Sequence, residues 1–208
     1  IIDVQYHVVE YGIKPDLNKY KPFCGHDHSL DDVKMNYLFN PLRNNFQNGE
    51  IRKTYNVAIL TTGEYYQANG NSNNAVRAKV IADVNAISAI FFNELSVSLS
   101  VGNRITMFSD PVTDPFIPGE ERTQQAANAV AGAFPNQNNY HIGHVFHIHA
   151  DGDGWQNGGV ALLSSVCRNT PYGTGVSKGG GWSGAYDNSS NGWISLATHE
   201  FGHQFGAQ

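Results

Sequence analysis

An α/β fold built on a twisted, mostly parallel sheet is predicted by three features of the sequence. The first is residues 54–62, TYNVAILTT, a β-rich apolar run closed by Gly63, as a central strand requires. The second follows it directly: Val76, Val80, Ile81, Val84, Ile87, Phe91 and Leu95 recur mostly at three- and four-residue steps, the apolar stripe of one long helix. The third is the order strand, long helix, strand, helix, strand, which needs crossover connections and therefore parallel pairing.

Composition bounds the rest. The chain has 208 residues, enough for one well-buried domain and few for two. With 40% hydrophobic residues, 15% charged residues and 22 glycines it reads as globular and loop-rich. A net charge of −5 without a basic patch argues against nucleic acid as a partner. No apolar run approaches bilayer length, so no membrane span is expected. Residues 1–20 lack the pattern of a signal peptide, and the expectation is a chain that has lost its targeting segment. Low Lys with high Asn, Tyr and Gly favours an extracellular location.

Residues 1–50 have no sustained period and are expected to be a pro-segment tail or linker, with Pro, Gly and Asp punctuating a loop. His26, Asp27 and His28 within it read as solvated loop side chains. In the domain that follows, 51–208, Asn73 or Asn74 is the expected cap of the long helix. Glu64 and Tyr65 sit at the strand end, where binding is one reading and simple exposure the default expectation. SVSLSVGNRITMF (96–108) alternates as a strand, kinked at Gly102. SDPVTDPFIPGEE (109–121) carries three prolines and four acids and must be loop, with Asp110 and Asp114 as candidate Ca2+ ligands. ERTQQAANAVAGAF (121–134) is the second helix, stopped by Pro135.

Four histidines then crowd into YHIGHVFHIHADGDGWQNGG (140–159). Alternation along a strand puts His147 and His149 on one face, with Asp151 next in phase, a donor set suited to a structural zinc. The simpler expectation is exposed histidines beside a cleft, bonded to neighbours. Asp151 and Asp153 are further candidates for Ca2+, without the spacing of an EF-hand. GGVALLSSV (158–166) supplies a strand ending at Cys167, and the glycine-rich 168–192 is expected to form no element and, lacking a Walker pattern, to bind no phosphate. Tyr172, Trp182, Tyr186 and Trp193 in and beside it form a candidate sugar-binding surface.

The last ten residues carry the chemistry. His199 and His203 are four apart, so a helix sets both imidazoles on one face, one turn apart, as zinc requires of two ligands. Glu200 lies where its carboxylate reaches an attacking water, and Gly206 lets the chain leave the helix left-handed. Asn191 or Ser190 is the expected cap, and Ile194, Ala197 and Phe201 the core-facing side.

HEFGHQFGAQ (199–208) resembles the metzincin signature HExxHxxGxxH through its first ten positions. With YNVAILTTGEYYQ, the SDPVTDPF loop, NYHIGHVF and the strand before Cys167, the domain is similar to bacterial-type reprolysin-like metzincins. The resemblance implies a metzincin-like N-terminal subdomain with an antiparallel edge strand, two packing helices and an active-site helix. It implies a secreted zinc endopeptidase acting on protein or peptide, with Glu200 as general base and His199 and His203 as ligands; the signature's third ligand is the position after Gln208. Val160, Ala161 and Leu162 would pair with extended substrate. HADGDGWQNGG also resembles the loop that carries structural zinc and calcium in matrix metalloproteinases. Pro22-Phe23-Cys24-Gly25 looks like the cysteine switch of metzincin pro-forms, where a thiolate occupies the open zinc position; Cys24 paired with Cys167, or free, are the other readings. In reprolysin-like enzymes a cysteine at the place of Cys167 bonds to one beyond the active-site helix. A proteolytically inactive module that keeps the fold, or a truncated fragment short of one ligand, is the alternative to the enzyme. Oligomeric state has no signature here.

Overall fold

The computed structural model describes residues 51–150, 152–189 and 191–208. The predicted linker at 1–50, with Cys24 and the His26–His28 cluster, lies outside them.

Strand β1 (Lys53–Thr61) is central, as its apolar run requires. The kinked 96–108 stretch divides into β2 (Val97–Ser100) and β3 (Ile105–Met107), joined through Gly102 at φ 54, and both run parallel to β1. On the other side β1 pairs in parallel with β4 (Ile142–Ile148). Two strands complete the six-stranded sheet: β5 (Gly158–Ala161) and β8 (Gly181–Ala185), in the order β2-β1-β4-β8-β5 with β3 also on β1. β8 is parallel to β4, and β5 is antiparallel to β8 at the edge. A separate ribbon pairs β6 (Pro171–Tyr172) with β7 (Gly175–Val176). The glycine-rich 168–192 is thus no featureless loop, because it holds an inner strand. The strand expected to run to Cys167 ends at Ala161, and Cys167 is exposed at φ 63 with no disulfide among the described residues.

The helices cover both faces of this sheet. A short α1 (Gly63–Ala68) is capped by Thr62, whose hydroxyl accepts from Tyr65 N–H. The long helix α2 (Asn73–Leu95) is capped by Ser72 rather than by Asn73 or Asn74. It ends at the left-handed Ser96, and Leu95, predicted as the last member of the apolar stripe, is half exposed. Helix α3 is Arg122–Ala133 and α4 is Asn191–Phe205, so α4 begins at Asn191, one of the two residues expected to cap it; the other, Ser190, lies outside the described residues. Strand alternation sorts the core. Val57, Ile59, Ile142 and Phe146 pack with α2 and with Trp193, Ala197 and Phe201 of α4. Ala58, Leu60, Val145 and Trp182 pack with Ala126 and Val130 of α3.

Candidate active site

His199, Glu200 and His203 lie on the last two turns of α4, and their candidate ligand atoms fall within 4.8 Å of one another. The two imidazoles are 4.4 Å apart at 79°, as their spacing on one helix face predicts. Past Phe205, Gly206 takes φ 104. Its N–H donates to the His203 carbonyl and that of Ala207 to the Gly202 carbonyl, closing the helix by a Schellman turn. The same turn presents the Ala207 carbonyl to His203 Nδ1 at 2.8 Å. A carbonyl only accepts, so Nδ1 carries the proton and Nε2 keeps the lone pair that a metal needs. The donor set therefore fits zinc.

Glu200 is fully buried. Its carboxylate packs against Gly159 of β5, where a Cβ would overlap it. That contact sets the edge strand beside the site. Val160 and Ala161 belong to β5, and Leu162 follows it, donating its N–H to the Gly180 carbonyl. After the strand, the N–H groups of Ser164 and Val166 donate to the His203 and Gln204 carbonyls, satisfying the end of α4.

Gln204 was not singled out by sequence, yet it locks the active-site helix to the sheet. Its Nε2 donates to the Gly143 carbonyl at 3.1 Å and to the Lys178 carbonyl at 3.4 Å, so its Oε1 must accept from His144 Nδ1 at 2.9 Å. His144 Nε2 then accepts from Ser183 Oγ at 2.8 Å, and the ring stacks on Phe201 at 4.4 Å. A glutamine inside a helix has no pattern of its own; only a search for polar residues on the buried face would have found it.

Burial pushes His144 down to about 4, against a smaller upward pull from Gln204. The unfolded chain takes up this proton near pH 6.5, the folded chain only near 4. The stabilisation from neutral His144 is therefore complete above pH 6.5 and is lost as pH falls to 4, by about 3 kcal/mol. Urea unfolding across that window measures the loss, and NMR titration assigns it. A folded-state His144 that titrated at 6.5 would contradict the network.

His147 and His149 are also buried, 0% and 5% exposed, which corrects the expectation of exposed side chains on a cleft, whereas His141 is half-buried. Burial holds both below the usual imidazole range, with the nearby charges of His149 and Arg122 adding to the effect at His147 and Asp153 opposing it at His149. They gather with Asp153, all candidate ligand atoms within 4.8 Å. Asp151 lies outside the described residues. Glu64 and Tyr65 are not exposed either; Tyr65 is fully buried, and burial raises the Glu64 carboxyl, with Asp114 and Asp153 contributing.

Asp110 and Asp114 spend their oxygens on the loop and on the start of α1. Asp114 accepts from Gly63 and Phe116 N–H, and Asp110 from Val112 N–H and Thr113 Oγ, so these carboxylates act as turn caps and do not support calcium. Trp182 and Trp193 are buried in the two cores, which removes the aromatic surface considered for sugar.

A family model described as metallo-peptidase family M12B, reprolysin-like, matches residues 51–208. No curated protein matches the chain.

Proposed function

Because this chain belongs to the M12B reprolysin-like metallopeptidase family, we propose that it is a zinc-dependent endopeptidase in which Glu200 moves the proton of the attacking water. The observation that carries this reading is the buried Glu200 carboxylate, packed on Gly159 of the edge strand, with ligand atoms of His199 and His203 within 4.8 Å. Bound zinc supplies a Lewis acid for the scissile carbonyl and lowers the pKa of water. His199 and His203 would hold the ion, and the Nδ1 bond to Ala207 orients the His203 ring. Glu200 accepts the water proton and returns it to the leaving amine, general base and then general acid.

The substrate is an extended peptide. β5 pairs on one side with β8, and its other side bears backbone N–H and C=O groups that an antiparallel substrate strand can meet. Val160, Ala161 and Leu162 lie along that edge. Such recognition runs through main-chain bonds and reads sequence weakly.

Incubation of the zinc-loaded protein with an unstructured polypeptide tests the function. Cleavage that a chelator stops and zinc restores is expected. Metal-free protein that binds a partner without cutting it would favour the inactive module.

Gly159→Ala tests the alignment of strand and base. The added methyl must displace either β5 or the Glu200 carboxylate, a strain of about 1–3 kcal/mol. Turnover should fall sharply while zinc content holds. Unchanged kcat would mean that the strand does not position Glu200.

A further inference from the structure

We propose that His147, His149 and Asp153 form a second metal site, taking a zinc-class divalent cation at the end of β4. Four observations support it, none drawn from α4.

His147 Nε2 lies 3.6 Å and His149 Nδ1 3.7 Å from Asp153 Oδ2. Those separations are too long for hydrogen bonds. They are close to the edges of a tetrahedron around an ion with zinc–ligand bonds of about 2.0–2.2 Å, which sets its ligand atoms about 3.3–3.6 Å apart.

His147 Nε2 and His149 Nδ1 are buried and have no hydrogen-bond partner among the described residues. Buried polar atoms left this way are rare and costly, and an ion at the shared point would satisfy one nitrogen of each ring.

Two of the three donors, His147 and Asp153, are also oriented from behind, as metal ligands are. His147 Nδ1 bonds Thr62 Oγ1 at 2.9 Å and has Glu64 Oε2 at 3.7 Å; the carboxyl oxygen favours a proton on Nδ1, which the Thr62 hydroxyl can accept, and that leaves the lone pair on Nε2. Asp153 accepts from Ala150 N–H through Oδ2 and from Trp155 N–H through Oδ1, which fixes its carboxylate and leaves Oδ2 a second lone pair.

Two neutral nitrogens and one carboxylate suit zinc and not calcium or magnesium, which prefer all-oxygen shells. Three protein donors leave the fourth position to water. The Asp153 side chain is 11% exposed and gives the ion an entry. The consequence is local order: an ion here clamps the 149–157 connection, which leads straight into the edge strand β5.

The test removes the α4 site first, so that its failure and the failure of the endopeptidase reading are separable. Protein carrying His199→Ala and His203→Ala, loaded with zinc and dialysed, should retain one zinc per chain by elemental analysis. Adding His149→Gln, or separately Asp153→Asn, should bring this close to zero with the far-ultraviolet circular dichroism unchanged. Zinc should raise the melting temperature of the double variant, and calcium should not. If the double variant fails to fold, the same two substitutions in the wild-type chain should each remove one zinc, from whatever number it holds. A folded double variant without zinc, or zinc kept after His149→Gln and Asp153→Asn together, overturns the proposal.

Discussion

Glu200→Gln is expected to lower kcat by about 10²–10⁴-fold, the usual contribution of a positioned general base, while zinc content and melting temperature stay at wild-type values. Glutamine keeps the volume that packs against Gly159 and keeps an acceptor oxygen. It cannot take a proton from water. His199 and His203 are untouched, so the metal remains. Steady-state kinetics on an unstructured polypeptide, read beside elemental analysis of the same sample, separates loss of the base from loss of the ion. A variant with intact zinc that turns over at near wild-type rate would remove Glu200 from the mechanism.

Asp83→Ala should be the most damaging single change to stability, with a loss of about 3–5 kcal/mol, as for other buried charged partners. Asp83 is 4% exposed and lies on α2. One of its oxygens accepts from Tyr65 Oη and from Trp193 Nε1, both at 2.9 Å, and the other from Lys79 Nζ at 2.6 Å. Three helices meet there: α1 through Tyr65, α2, and the start of α4 through Trp193. Truncation leaves a phenol and an indole N–H without an acceptor in a dry core, at about 1–3 kcal/mol each. Chemical denaturation measures the loss, and activity should decline with it because Trp193 fixes the entry of the active-site helix. A cost below about 1 kcal/mol would show that water reaches these donors.

Both predictions rest on residues of unequal visibility. Glu200 is recognisable at once, since the spacing of His199, Glu200, His203 and Gly206 is written along one helix and its geometry is local. Asp83 sits at a polar gap in the stripe of α2, and nothing nearby in sequence announces Tyr65 and Trp193 as its partners, 18 and 110 residues away. Gln204 and His144, 60 apart, are hidden for the same reason.

The inner strand β8 shows where pattern fails. Strand signals in sequence are branched and aromatic side chains, and β8 reads GWSGA. Its glycines are there because other groups occupy the space: a Cβ on Gly181 would overlap His144 Nδ1. A strand selected for room to pack looks like a loop until its neighbours are known.

By itself, then, the sequence determined the α/β order of the central elements, the helix that carries His199, Glu200 and His203, and the left-handed exit at Gly206, because each is set by contacts within a few residues. Only the tertiary structure decided the inner strand β8, the Gln204 and Asp83 anchors, the burial of His144, His147 and His149, and the meeting of the last two with Asp153. These depend on which segments face one another across the sheet. That pairing follows from packing the whole domain, and no local period encodes it.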